Sequence, residues 1–279
     1  MDNQILKFTR DGKFLLQIGH AGTGVNNLST ENVAGAADLY VHDETNEVFV
    51  ADGYGNRRVI VFDATTGAFK RMWGAYGNPP IDQADDEEPY DPRFFGLPHG
   101  IRISNDGLVY VSDAQGMRIQ VFTVSGEYLF EKMMGRYPDV NPAAMAARAN
   151  DMSFGAPSTD LITATAEFHR SVSRTAFSPD AAQKWMFVLE RSNHEVVVIE
   201  RATFKELYRF GTWGDEIGEF YVLHDMTADN AGDIYTVEVN DIGGTRKRTQ
   251  KWVLSAGTAP TQTAVPVVFG STIFSGPTN

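Results

Sequence analysis

Four stretches of this chain repeat one order of short strands and turns, and this repetition constrains the fold more than any other feature. The repeats span residues 36–74, 97–135, 172–211 and 222–270. Each contains an apolar strand, a turn, a second strand that ends in an acid, a third alternating strand and a fourth strand that ends before a glycine. Short alternating strands separated by turn residues are typical of antiparallel sheet. The pattern predicts an all-β fold, a β-propeller of four-stranded antiparallel blades around a central channel.

The first nineteen residues match only the second half of a repeat. "QILKF" corresponds to a third strand, "RDG" to a turn and "FLLQIG" to a fourth strand, so residues 1–19 are expected to form half a blade. Residues 136–170 are too irregular for a blade and are expected to form a long insertion, in which "NPAAMAARAND" is a candidate short helix. We therefore expect one propeller domain over residues 1–279, incomplete at its N-terminus.

Composition and charge argue against several classes of partner. The 279 residues carry a formal charge of −12, which opposes nucleic acid, and the basic run "TRKRTQK" is interpreted as a solvated loop that leads into a strand. The chain contains no run of 18 apolar residues that would predict a membrane helix, and the N-terminus lacks the pattern of a signal peptide. The chain has no cysteine, so disulfides are excluded, but its compartment is not determined.

Two histidines occupy the same position in two repeats. His99 lies 14 residues before Asp113, and His224 lies 14 residues before Glu238. In an up-and-down blade, the connection into the first strand and the loop between the second and third strands lie on the same side of the propeller. Tyr54 lies in that loop of the first full repeat. Because first strands line the channel, we expect the three side chains at one channel mouth.

The residues alone leave the roles of these side chains open. Paired histidines at an axis fit zinc, which binds neutral imidazole and in catalytic sites has three protein ligands. They fit equally well as donors of hydrogen bonds to a neighbouring blade. Tyr54 is a candidate general base if a cation lowers its pKa, or else an aromatic lid over the channel. Asp225 is a candidate cap for backbone amides.

Several segments resemble a known family. "SDAQGMRIQVF" and "LERSNHEVVVI" resemble NHL repeats. "FVADGYGNRRVIVF", "LPHG" and "LHD" together resemble the lyase domain of peptide-amidating enzymes and its bacterial relatives, which are six-bladed propellers. The resemblance is clearest over residues 36–135 and 220–254. It implies that His99 and His224 bind zinc, that Asp225 holds a structural calcium and that Tyr54 is catalytic. Relatives of this kind are often exported or periplasmic.

The resemblance is incomplete at the site. The family's third histidine belongs to a segment upstream of "QILKF", and the equivalent positions in the other repeats are Ala37 and Ser173. His169 lies four residues before Ser173 and is a candidate substitute. A family arginine expected after the second repeat's acid is replaced by Ala114, while Arg191 occupies the equivalent place one repeat later. Arg191 is a candidate for binding a substrate carboxylate, or for pairing with the acid beside it.

Three functions follow as alternatives. The first is a lyase that cleaves an N-acyl-α-hydroxyglycine to an amide and glyoxylate. The second is a calcium-dependent propeller lactonase or esterase, which needs an axial ring of acids of which only Asp225 is assigned. The third is a non-catalytic NHL scaffold that binds a peptide or protein. A small molecule or peptide is expected at the channel mouth, with no nucleic acid or membrane partner. The open edge of residues 1–19 predicts pairing with another chain, such as a homo-oligomer. The alternative is that the tail "STIFSGPTN" and the insertion 136–170 fill the gap.

Overall fold

The computed structural model of the chain contains β-strands and no α-helix within the residues it describes. These are residues 3–82, 91–134, 172–191, 193–214, 216–239, 248–253 and 265–268. No helix in these ranges is long and apolar enough to cross a membrane. All of the structure discussed below belongs to these ranges.

Eighteen strands and one 3₁₀ turn, Ala75–Gly77, form the described fold. A hairpin comes first, with strands β1 (Gln4–Phe8) and β2 (Phe14–Gly19). The first blade follows, with β3 (Ala36–His42), β4 (Glu47–Asp52), β5 (Arg58–Asp63) and β6 (Phe69–Trp73). The second has β7 (Pro98–Ile103), β8 (Leu108–Asp113), β9 (Arg118–Thr123) and β10 (Tyr128–Met133). The third has β11 (Val172–Phe177), β12 (Trp185–Glu190), β13 (Glu195–Glu200) and β14 (Lys205–Phe210). The fourth has β15 (Leu223–Ala228), β16 (Ile234–Glu238), β17 (Thr249–Val253) and β18 (Val265–Val268).

Each blade is an antiparallel meander in which neighbours in sequence are neighbours in the sheet. The first strands β3, β7, β11 and β15 form one edge of their sheets and contact one another in that order. They therefore surround the channel, as the repeat predicts. The two-stranded sheet of β1 and β2 precedes the first blade in the sequence.

Blades pack face to face because the side chains of each strand alternate between its two sides. Phe49 and Ala51 of the first blade share a buried cluster with Ile101 and Ile103 of the second. The opposite side of the first blade, including Val50, packs against the β1–β2 hairpin. Similar clusters join the second blade to the third and the third to the fourth. The hydrophobic core is thus a series of layers between blades.

In the first, second and fourth blades, the acid at the end of the second strand binds an arginine at the start of the third strand. Asp52 accepts from Arg58 Nε at 3.0 Å, with both side chains fully buried. Asp113 accepts from Arg118 Nε at 3.1 Å. Glu238 and Arg248 form the same pair in the fourth blade. Each pair fixes the loop at the channel-mouth side of its blade.

The strands coincide with the expected repeats, and the all-β propeller fold is confirmed. The described residues form four blades and a hairpin, as the repeats predict. The six blades of the family that the sequence resembles are not confirmed by the eighteen described strands. The expected insertion 136–170, with its candidate helix and His169, lies outside the described residues. The expectation of a single domain over 1–279 stays a prediction.

Asp113→Ala should lower the free energy of unfolding by about 3 kcal/mol, because Arg118 would lose its buried partner. The carboxylate also accepts from the amides of Gly96 at 3.0 Å and Leu97 at 2.9 Å. Chemical denaturation followed by tryptophan fluorescence measures the change. Glu127→Ala, at an exposed position of the same blade, is the control and should stay within about 0.5 kcal/mol of the parent. Equal effects of the two substitutions would contradict this role.

Candidate functional site

Three side chains from three blades meet at the channel. Tyr54 Oη lies 2.7 Å from His99 Nε2 and 3.4 Å from His224 Nε2. The two imidazole rings are 5.1 Å apart between centroids and stand at 81° to each other. The structure therefore brings together the three residues that the sequence placed at one channel mouth.

A β-bulge places the histidines. In all four blades the pairing of the first strand with the second skips one residue, and the skipped residues are Ala37, His99, Ser173 and His224. An unpaired bulge residue redirects its side chain out of the regular alternation. The four positions are therefore structural equivalents, and only two of them carry an imidazole.

Glycines allow the blades to approach closely around the site. A side chain at Gly53 would have its Cβ 2.2 Å from the carbonyl oxygen of Pro98. A side chain at Gly100 would have its Cβ 2.6 Å from the carbonyl oxygen of Ser173. Because real Cβ atoms do not approach oxygen so closely, these glycines let the Tyr54 loop and the third blade contact the strand that carries His99.

The backbone selects one tautomer of His99. Its Nδ1 lies 3.1 Å from the carbonyl oxygen of Ser173, which can only accept a hydrogen bond. We assign the proton to Nδ1, with the Ser173 carbonyl as its acceptor, so Arg174 Nη1 at 3.2 Å from the same nitrogen is a neighbouring charge and not a hydrogen-bond partner. Nε2 then has a free lone pair and accepts from the Tyr54 hydroxyl. A histidine that donates from one nitrogen to a backbone carbonyl presents the other nitrogen as a ligand.

Arg174 of the third blade lies beside His99 and contacts groups of the other three blades. Its side chain, 4% exposed, extends from the third blade. It donates to Asp225 Oδ1 at 3.0 Å and to the carbonyl oxygen of Ala37 at 2.8 Å, and its Nη1 lies 3.6 Å from Asp38 Oδ2. The guanidinium also lies 3.2 Å from His99 Nδ1. Sequence reasoning missed Arg174, although an arginine directly after Ser173, the position equivalent to His99 and His224, was an available signal.

Burial and positive charge keep the site's histidines neutral. Burial lowers the pKa of His99 to about 3, and the Arg174 charge adds to this effect. Burial also lowers the pKa of His224, with further contributions from Arg191 and Arg174. Burial raises the pKa of Tyr54, against the opposing influence of Arg191 and Arg174. At neutral pH the site holds two neutral imidazoles and a protonated phenol, surrounded by guanidinium groups.

The remaining candidate residues have different surroundings. Arg191 is half-buried, and burial lowers the pKa of its guanidinium. It lies close enough to Tyr54 for its positive charge to act on the pKa of the phenol. Asp225 Oδ1 accepts from Arg174 and from the Met226 amide at 2.7 Å, so it does not join the histidines. Within the described ranges, no three His, Cys, Asp or Glu side chains are arranged to hold a metal ion. The converging donors are two imidazoles and one phenol.

The comparisons with known proteins support the repeat and the fold. The NHL repeat model matches residues 95–122, the segment that carries His99. NHL repeat-containing protein 3 of Mus musculus is 32% identical over 114 residues, and that of Homo sapiens is 33% identical over the same length. The match covers 40% of this chain and 28% of each relative.

Among solved structures, the β-propeller domain of Cps50 (Swd1) from Myceliophteria thermophila superimposes with a TM-score of 0.52 and 9% identity. The superposition covers 96% of this chain and 65% of that one. At this identity the likeness shows the fold alone. The chain contains an NHL repeat and folds as a β-propeller. An NHL propeller serves as an enzyme or as a scaffold, so its function has to be argued from the site.

Arg174→Met should lower the free energy of unfolding by about 3 kcal/mol, because it leaves Asp38 without one of its buried cationic neighbours and removes the link between blades. Thermal and urea denaturation measure the change. Arg93→Met is the matched control, since Arg93 pairs with Asp91 while 79% exposed, and should change stability by less than about 0.5 kcal/mol. A stability loss no larger than the control's would show that the network does not hold the blades.

Proposed function

We propose that this chain is an NHL-type propeller enzyme whose active site lies at Tyr54, His99 and His224. The proposed reaction is that of an amidating lyase, which cleaves an N-acyl-α-hydroxyglycine to an amide and glyoxylate. The observation that carries the proposal is the approach of both Nε2 atoms to one phenolic oxygen, within 2.7 and 3.4 Å. A purely structural role for either histidine would not require both Nε2 atoms to approach the same oxygen.

The described donor set supplies two of the three protein ligands that a catalytic zinc usually has. His99 and His224 are neutral imidazoles, and the Nδ1 of His99 has a carbonyl acceptor, as zinc ligands commonly do. They would hold the ion, with Tyr54 beside it. When bound, zinc would polarise the substrate's hydroxyl and favour the phenolate form of Tyr54. Asp225 fits calcium poorly, because one of its oxygens already accepts from Arg174 and a backbone amide.

The chain's own residues supply positioning and proton transfer. Arg191 is proposed to bind the substrate carboxylate, for which its fork of N–H donors is suited. Tyr54, as phenolate, takes the proton of the α-hydroxyl. The O–H electron pair forms the carbonyl of glyoxylate, the C–N bond breaks towards nitrogen, and the amide nitrogen takes up a proton. The positive charges of Arg174 and Arg191 favour the phenolate.

A non-catalytic scaffold that binds a peptide or protein is the second candidate function. The matched curated relatives are described only by their NHL repeats, and the described site contains two histidines rather than three. The calcium-dependent lactonase or esterase is less well supported. It needs acids free to bind an ion at the axis, whereas Asp38 and Asp225 are paired with Arg102 and Arg174.

Zinc content and lyase turnover test the proposal together. The purified chain should retain about one zinc per molecule after dialysis, and His99→Ala and His224→Ala should each lower this by about tenfold, since each removes a ligand. His42→Ala is the control, because His42 bonds to Thr45 at 2.8 Å outside the site. Tyr54→Phe should retain zinc but release glyoxylate about 100-fold more slowly.

Two results would contradict the enzyme. One is zinc that is lost equally in the His42→Ala control. The other is zinc bound through His99 with no glyoxylate released from an N-acyl-α-hydroxyglycine, which would favour the scaffold. Calcium bound in place of zinc, together with ester turnover, would instead favour the lactonase or esterase.

A further inference from the structure

The first blade exposes apolar side chains whose equivalents in the second blade are buried. Leu39 and Val41 on β3 are 41% and 49% exposed. Their structural equivalents on β7 are Ile101 and Ile103, which are 0% and 2% exposed. In the second blade these residues are covered by the first and second strands of the preceding blade, as their shared cluster with Phe49 shows.

The β1–β2 hairpin covers only the outer half of this face. Ile5, Leu16 and Ile18 pack against the buried residues of the first blade. Beside them a cavity of about 290 Å³ remains, lined by residues of the hairpin and by Leu39 and Val41. The cavity is continuous with the interface that the hairpin already makes.

The edge of β1 that borders the cavity is open. Among the described residues β1 pairs with β2 alone, whereas every third strand in the four blades pairs on both sides. An open edge offers N–H and C=O groups to another strand. Gly19 ends the hairpin as Gly74 ends the first blade. When these two glycines are aligned, Gln4 occupies the position that Arg58 has at the start of the third strand of the first blade. The side chain available to a partner's acid is therefore a neutral amide.

We propose that this cavity and edge bind a two-stranded antiparallel hairpin of a partner polypeptide. The hairpin would have the chemistry of a blade's inner half: alternating β-branched and aromatic residues, with a carboxylate at the end of its second strand. One of its strands extends the β1–β2 sheet, and its apolar side covers Leu39 and Val41. The second, third and fourth blades each pack on the second strand of the blade before them, and this packing defines the occupant.

A peptide taken from the chain itself provides the probe. Residues 36–52, "AADLYVHDETNEVFVAD", form the inner hairpin of the first blade and present Phe49 and Ala51 to the blade that follows. A fluorescently labelled version should bind the whole chain saturably, with a midpoint below about 1 mM in anisotropy. On binding, hydrogen exchange of the Gln4–Phe8 amides should slow.

Leu39→Asp should weaken this binding by about tenfold or more, because it places a charge in an apolar contact. Leu129→Asp is the matched control, since Leu129 is also 41% exposed but lies on the outer strand of the second blade. The control should bind as the parent does. Both variants should keep the parent's melting temperature, since both side chains are solvent-accessible.

Three results would overturn the proposal. The first is an absence of saturable binding by the parent chain when it melts normally. The second is equal loss with Leu39→Asp and Leu129→Asp. The third is slow hydrogen exchange of the Gln4–Phe8 amides before any peptide is added. Light scattering then separates two explanations. A monomer would mean that the chain covers its own edge, and a dimer would mean that a second copy is the occupant.

Discussion

A single buried cation, Arg174, connects the blades at the place where the candidate site is built. A guanidinium with little exposure to water requires acceptors, because an unpaired charge in a protein interior is strongly unfavourable. Asp38, Asp225 and a backbone carbonyl meet that requirement from two other blades. The inner strands must therefore hold these acceptors around one point, and this fixes how His99 and His224 are presented to Tyr54.

Electrostatics then determine what the site can bind. Because Arg174 is neutralised by carboxylates, it does not make the channel mouth uniformly positive, yet it still disfavours protonated imidazole. The histidines stay neutral and keep lone pairs for a metal or a proton. Tyr54 stays protonated until a further positive charge arrives. The site as it stands thus combines two neutral imidazoles and a phenol with neighbouring guanidinium groups.

Much of the architecture could be predicted from the sequence, because strand alternation, turns and the acids at strand ends are local signals. The equal spacing of His99 and His224 from those acids correctly placed them in equivalent positions. The bulge that redirects both side chains could not be foreseen, since it appears only as a shift in pairing with the next strand. Arg174 was missed because its partners are far away in the sequence and meet only when the blades assemble.

X-ray absorption at the zinc edge tests the central claim most directly, since it reports the atoms that bind the metal. For the zinc-loaded chain, the account predicts scattering from two imidazoles, at about 2.0–2.1 Å from zinc. His224→Gln should remove one imidazole from the spectrum and leave the other. A spectrum with no imidazole, or one that His99→Gln and His224→Gln leave unchanged, would contradict a shared metal site at the channel.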